Sequence, residues 1–473
     1  MKGRAVIGAL AALWAVGAAA QPASLDWQEV VTRVVRDQPS LEAARLQAER
    51  ARLELQKLEA SLGWVFQGSA TASHDVSFIG TPSDSVQGRA GVQRRQANGV
   101  TWGMGGSYTY QNDSFVFSPL LPNPYHYFTW DVNARIPLGQ GQGNPDYHLG
   151  RQQAGAAEEM ARLARDEQRD ALAAQAIDLY FAAAFTRERI LNAKAGIEFS
   201  ERIRAYILRN MELGLFEDKD RLQIEAQLAG QRAQHRALET AWVEQRTALN
   251  QLMNRPWDTP FLPRIDLNDA PLPDLEWLVA RALAYDPQLA RLRARLTQVD
   301  AAIARARDRR RDKLDLVLKA GVRGKGGPAQ VGTVASNDVA AALSLEYRHA
   351  LDKSAFDAEL AQARIDAQVV QEQMRARERA LRYRIANLVE QIRAHRAALA
   401  GFRAQMEKES ARLTEAEARF RDGRATTVEL IQFENELKRT ELAVLQQQIE
   451  TARKRAQLRL LTGALWSTGE ENP

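Results

Sequence analysis

Two periodicities divide this chain. Long stretches of good helix formers, with little or no proline and with apolar residues three and four apart, are separated by short runs in which apolar and polar residues alternate. The first helical run spans Asp26 to Gly63. Asp26 and Glu29 have capping-box spacing, and Pro39 divides the run into a short piece and a longer one. From Trp64 to about Leu138 the period changes to two. Phe128, Trp130, Val132, Ala134 and Ile136 alternate with Thr129, Asp131, Asn133 and Arg135, which predicts a strand with one apolar and one charged face. Trp102, Met104, Tyr108 and Tyr110 predict a second strand, and Val65–Val76 and Val86–Arg95 give weaker signals. Helix returns over Gly150–Met211, about 90 Å of it, and over Asp218–Met253, about 50 Å. A proline-rich connector follows at Asn254–Pro273.

The same succession then recurs. Asp274 to about Asp312 is helical, and Leu314 to Arg323 and Val339 to Arg348 alternate as strands, with a glycine-rich loop expected at Gly324–Gly332 between them. Lys353–Phe420 predicts a helix of about 100 Å and Thr426–Thr462 one of about 55 Å, ended by Gly463. In the last helix, Leu442, Leu445, Ile449, Ala452 and Ala456 form a coiled-coil seam.

The repeat is clearest at two helix–turn–helix tips. Phe420 to Leu437 places Gly423 at a turn, with Thr426 and Glu429 spaced to cap the next helix. Met211 to Leu228 is a degraded copy about 209 residues upstream, with Gly214 for Gly423 and Asp220 for Glu429. Tyr285–Leu289 likewise echoes Asp37–Leu41. The chain is therefore an internal duplication: residues 21–253, with strands about 64–138 and a tip near 214, and residues 274–463, with strands about 314–348 and a tip near 423. Residues 464–473 are expected to be a disordered tail. The offset between halves falls from about 248 at Pro39/Pro287 to about 213 at Leu138/Leu351, so the first half carries about 35 additional residues in its β region.

Composition narrows the possibilities. At 45% hydrophobic and 26% charged, the chain is too polar for a bundle of membrane-crossing helices. Its net charge of +5 is a small excess with both signs interspersed, which argues against nucleic acid as a partner. The absence of cysteine excludes disulfides, thiolate zinc sites and a lipidated N-terminal cysteine. Lys2 and Arg4, the apolar run Ala5–Val16 and Ala18-Ala19-Ala20 form a signal-peptide pattern over residues 1–20. The six histidines have no metal-ligand spacing, and Gly139–Gly143 lacks the Lys-Ser/Thr of a phosphate loop. No catalytic site, metal or cofactor is expected.

An exported chain with two-faced strands and no apolar helix of spanning length would cross a membrane as a β-barrel. One chain offers four clear strands, and an open sheet in lipid leaves its edge N–H and C=O groups unpaired at several kcal/mol each. Three chains would close a barrel of about a dozen strands. Asp131, Asn133, Arg135, Lys319, Arg323, Glu346 and Arg348 would then face a wet lumen.

These features, in this order and duplicated, resemble the TolC family of outer-membrane export ducts over essentially the whole mature chain. The carriers are the two tips, the helix starts at Asp37–Leu41 and Asp286–Leu289, and the strand-to-helix turn at Arg135–Gly139. The resemblance implies an α+β protein: a long α-helical coiled-coil barrel continued by a transmembrane β-barrel shared between three protomers. It implies a homotrimer in outer-membrane lipid that extends into the periplasm and meets a periplasmic adaptor and, through it, an inner-membrane pump. Asp220 and Glu429 fall at the acidic positions near the entrance. Gln432 stands where a second acid often sits, and Ala425, beside Arg424, where a basic latch residue occurs. Gly214, Leu215, Gly423, Arg424 and Ala425 are the candidates for adaptor docking. The other reading consistent with long hairpins and a signal peptide is a periplasmic coiled-coil adaptor or scaffold without a barrel.

Overall fold

The structure, a computed structural model, describes residues 23–76, 81–212, 215–265 and 270–466. The expected signal peptide and the turn residue Gly214 lie outside them. In chain order the elements are β1 (Ala23–Leu25), α1 (Trp27–Asp37), α2 (Pro39–Ala60), β2 (Val65–Val76), β3 (Pro82–Arg95), β4 (Thr101–Asp113), β5 (Tyr125–Pro137), α3 (Pro145–Met211) and α4 (Asp218–Leu252). After these come β6 (Phe261–Pro263), α5 (Leu275–Tyr285), α6 (Pro287–Arg309), β7 (Lys313–Ala329), β8 (Gly332–Arg348), α7 (Ser354–Arg421) and α8 (Thr427–Leu461). The succession is duplicated as the sequence indicates, with long helices of 67 and 68 residues and two final helices of 35 each.

The elements fall into two compact units. One comprises Met1–Glu42, Glu167–Asp286 and Arg379–Pro473, and the other Ala43–Asp166 and Pro287–Glu378. The first unit is helical, with three apolar cores. In the largest, Ile177, Tyr180 and Phe181 of α3 pack with Val30, Val31 and Val34 of α1 and with Ile449 and Ala456 of α8. The side chains of α3 buried there recur at three and four residues, as one face of a helix requires. Asp26 and Glu29 form the capping box, with backbone-to-carboxylate bonds of 2.8 and 3.2 Å. A short parallel pair, β1–β6, joins Ala23–Leu25 to Phe261–Pro263. It is held to the core by the Tyr180 hydroxyl, which lies 2.8 Å from the Leu25 carbonyl oxygen and 2.6 Å from that of Arg264. Burial raises the Tyr180 pKa, so the hydroxyl stays a protonated donor.

The tail also differs from expectation at its start. Leu465 and Trp466 pack against the main core, and the Trp466 indole donates to Asp170 Oδ1 at 3.0 Å beneath the Arg169 guanidinium. An aromatic side chain with one donor to satisfy gains both burial and a carboxylate here, which outweighs a composition that reads as disordered.

The second unit is dominated by one antiparallel sheet in the order β2-β3-β4-β5-β7-β8. Six strands, rather than four, come from one chain. The added residues of the first half form the β2–β3 hairpin, paired along its length from Val65↔Gln93 to Val76↔Pro82. The expected Gly324–Gly332 loop is also strand: β7 and β8 stay paired out to Ala329↔Gly332, leaving Gln330 and Val331 as the turn. Glycine in this stretch serves close approach rather than a loop, since a methyl group on Gly327 would collide with the Pro124 carbonyl. Beside the sheet, Val299 and Ile303 of α6 pack on Ala367, Val370 and Met374 of α7.

Candidate functional site: the paired tips and the two-faced sheet

Each tip is a helix end, a turn and a new helix, and the turn chemistry follows from a few residues. At the second tip Gly423 adopts φ +71°, the left-handed conformation that lets α7 stop. Thr426 caps α8, its hydroxyl accepting from the Glu429 backbone N–H at 3.2 Å. Among the described residues the reciprocal bond of the expected capping box is not formed, so the Glu429 carboxylate is not tied to the cap. At the first tip the roles invert. The Asp220 carboxylate accepts from the Glu217 backbone N–H at 3.1 Å. Asp220 and Glu429 thus hold the same third position of their helices, and the duplication extends to tip geometry.

The two tips share one core. Tyr206, Phe216 and Phe420 form a triangle with ring centroids 5.4 to 5.9 Å apart, and Ile224, Leu430 and Ile431 pack with them. Gln227 Nε2 donates to Asn435 Oδ1 at 3.0 Å, linking α4 to α8. Outside this core, Leu215 and Arg424 are exposed and Ala425 is half-buried. Arg424 pairs with Asp422 of its own turn at 2.5 Å, and Gln432 bonds Glu436 one turn on at 3.1 Å. Among the described residues, neither Arg424 nor Gln432 bonds to the other tip.

One group near the tips was not singled out by sequence. Glu434, on α8, is 2% exposed, and its Oε1 has no hydrogen-bond partner. Burial pushes its pKa up to about 7; Lys438 opposes the shift and Glu441 adds to it. It borders a cavity of about 380 Å³ that Gly196, Gln231 and Asn435 also line. Only packing reveals this: along the sequence, Glu434 is one more acid on a charged helix.

The sheet carries the other candidate residues, and its register settles their sides. Asp131, Asn133 and Arg135 of β5 lie on one face, with Lys319 and Arg323 of β7 and Glu346 and Arg348 of β8. All seven therefore share a face. Arg135 joins Asp315 at 2.8 Å and Glu346 at 2.6 Å, and Lys319 lies 3.6 Å from Asp131. The partner carboxylate Asp315 is 2% exposed, and β3 adds Arg89 to the same face. The opposite face is apolar and open: Val339 is 83% exposed, Leu343 72% and Phe66 71%. Among the described residues no helix is long and apolar enough to cross a membrane, and no cluster of acids and histidines could hold a metal.

A sheet with one polar and one apolar face is carried in the same chain as paired long helical hairpins. The chain is similar in fold, over most of its length, to several solved outer-membrane proteins. The outer-membrane channel OprN superposes with a TM-score of 0.69 at 17% identity, covering 92% of this chain and 89% of that one. The outer membrane protein VceC of Vibrio cholerae gives 0.68 at 13% identity, covering 92% and 96%. The open state of the MtrE outer membrane channel of Neisseria gonorrhoeae gives 0.62 at 17% identity, covering 92% and 88%. No family model and no curated protein matches the sequence. One chain accordingly shows the helix-rich fold with an open sheet that these solved structures share.

Proposed function

We propose that this protein is an outer-membrane exit duct of a tripartite efflux or type I secretion system, a passive conduit rather than an enzyme. It would work as a homotrimer, extending from the outer membrane into the periplasm. The observation that carries the reading is the sheet: its apolar side chains are exposed on one face while its charges pair on the other. Water does not favour that distribution. Lipid outside and solution inside do.

The tips supply the functional end. Leu215, Gly423, Arg424 and Ala425, with Gly214, would meet a periplasmic adaptor that links the duct to an inner-membrane pump. Glu429 and, at the other tip, Asp220 would form carboxylate rings under three-fold symmetry. Such rings attract cations and narrow an entrance. Because Gln432 and Arg424 already have partners beside them, the closed entrance would be latched mainly by contacts between copies.

Fractionation tests this reading. The protein should stay with outer membranes through high-salt and carbonate washes, and a thiol-reactive photocrosslinker at position 215 or 424 should capture an adaptor hairpin. Release by carbonate would favour the periplasmic scaffold and contradict the duct.

A further inference from the structure

The β2–β3 hairpin is the part of the sheet that the four clear strands of the sequence do not account for. The ladder places it without ambiguity. Its pairs run without a bulge from Val65↔Gln93 to Val76↔Pro82, and β3 continues onto β4 from Ser83↔Asp113 to Arg95↔Thr101. Sidedness can therefore be followed across all six strands. Phe66, Val92, Met104, Val132, Ala320 and Ala341 fall in one row on the open face. Ser69, Arg89, Ser107, Thr129, Arg323 and Asp338 fall in one row on the charged face.

The hairpin itself has the composition of a lipid-facing wall. From Phe66, its outer face on β2 continues as Gly68, Ala70 and Ala72, opposite Val92, Ala90, Gly88 and Val86. Its inner face is Gln67, Ser69, Thr71 and Ser73. The first polar residue on the outer face of β2 is His74, paired with Asp84 at 2.6 Å. It lies eight residues beyond Phe66, or about 27 Å along the strand, close to the ~25 Å apolar band of a membrane barrel. A hairpin standing in water would have no reason to keep one face free of charge over that length.

Both free edges are also built to pair. Soluble sheets blunt their edges with lysine, proline or bulges. β2 and β8 are regular strands of 12 and 17 residues containing neither lysine nor proline. In an even-numbered antiparallel sheet the two outermost strands run in opposite directions. The β2 edge of one copy can thus continue the ladder onto the β8 edge of the next, a head-to-tail contact that closes a ring.

We propose that the hairpin is part of the barrel wall and forms the subunit junction, with β2 of one copy paired to β8 of its neighbour, so that three sheets of six strands close a barrel of eighteen. This rests on the trimeric duct proposed above. Because barrel diameter grows roughly linearly with strand number, the lumen is about half as wide again as four strands per copy would give. The added wall contributes Arg89, Gln67 and hydroxyls to it, a polar lining suited to bulky hydrated cargo.

The chain lacks cysteine, so introduced thiols report alone. Ala70→Cys on β2 is combined in turn with Ala341→Cys, Leu343→Cys and Leu345→Cys on β8, in outer-membrane vesicles treated with a short bifunctional thiol reagent. Single variants serve as controls for folding. The expected result is a covalent trimer in at least one register, with none when Met104→Cys on β4 replaces Ala70→Cys. Linkage of β4 to β8 without any β2–β8 link would put the hairpin outside the wall and overturn the proposal. So would Ala70-to-Ala70 linkage in the single variant, or no β2–β8 link in any register while mass measurement shows an intact trimer. A monomeric mass without membrane association would instead count against the duct itself.

Discussion

The two compact units bury their apolar residues in different ways. In the helical unit one chain is enough: Ile177, Tyr180 and Phe181 are at most 1% exposed, and both tips close over Phe420. In the sheet unit Val339, Leu343 and Leu345 remain 65% to 83% exposed along a strand that has a partner on one side only. The same chemistry, aliphatic side chains at regular spacing, is satisfied internally in one unit and left open in the other. The lesson is that an exposed apolar face in a well-paired sheet specifies its solvent. The helical unit hides its apolar residues within one chain, and the sheet leaves one face to whatever covers it, which in the proposed duct is lipid.

Substitutions test this contrast. The largest effect is expected from Phe420→Ala, which removes the centre of the tip core and should destabilise that region by about 3–5 kcal/mol. Hydrogen exchange of tip amides would report it, while heat-resistance of the sheet unit should be unchanged. Next, Leu343→Arg should cost about 2–4 kcal/mol if that position faces the bilayer midplane and should deplete the protein from outer membranes. Ala340→Arg, on the opposite face in the row of Asp131, should insert normally. Equal tolerance of both would remove the distinction between the faces.

A third test uses pH. The Glu434 carboxyl has a folded pKa raised to about 7, above its ordinary value of 4.5. The folded state therefore prefers the protonated form. The stability this contributes is complete below pH 4.5 and is lost as pH rises towards 7. Glu434→Gln, which stays neutral, should raise stability by about 3 kcal/mol at pH 8 and leave it unchanged at pH 4. Thermal unfolding at the two pH values decides it, and a gain of equal size at both would place the cause elsewhere. The smallest effect on stability, under about 0.5 kcal/mol, is expected for Glu429→Gln, which loses only a favourable charge near a helix N-terminus. Its cation preference in single-channel recordings should nevertheless fall several-fold. An unchanged preference, and unchanged block by multivalent cations, would end the carboxylate-ring account.

Much of this organisation was legible in the residues. Trp130 and Val132 against Asp131 and Asn133 set out β5 because large apolar and charged side chains contrast sharply. The hairpin β2–β3 was faint because its outer face uses Gly68, Ala70, Gly88 and Ala90, whose small side chains hardly mark a period of two. Gly324, Gly326 and Gly327 pointed to a loop because glycine favours turns, but close strand approach also requires it. The seven polar residues of the sheet face, six of them charged, could be placed from alternation alone. Asp315 and Glu434 could not be distinguished from surface acids, since their burial depends on neighbours distant in sequence. The short β1–β6 pair, three residues on each side, is below what periodicity can register.

A sealed, water-filled conduit would arise here only by association of copies. Purified protein reconstituted into a planar lipid bilayer is the decisive measurement for it. A trimer that inserts and conducts in discrete steps, with a preference for cations, is the expected result. A sample that stays monomeric and passes no current would contradict it.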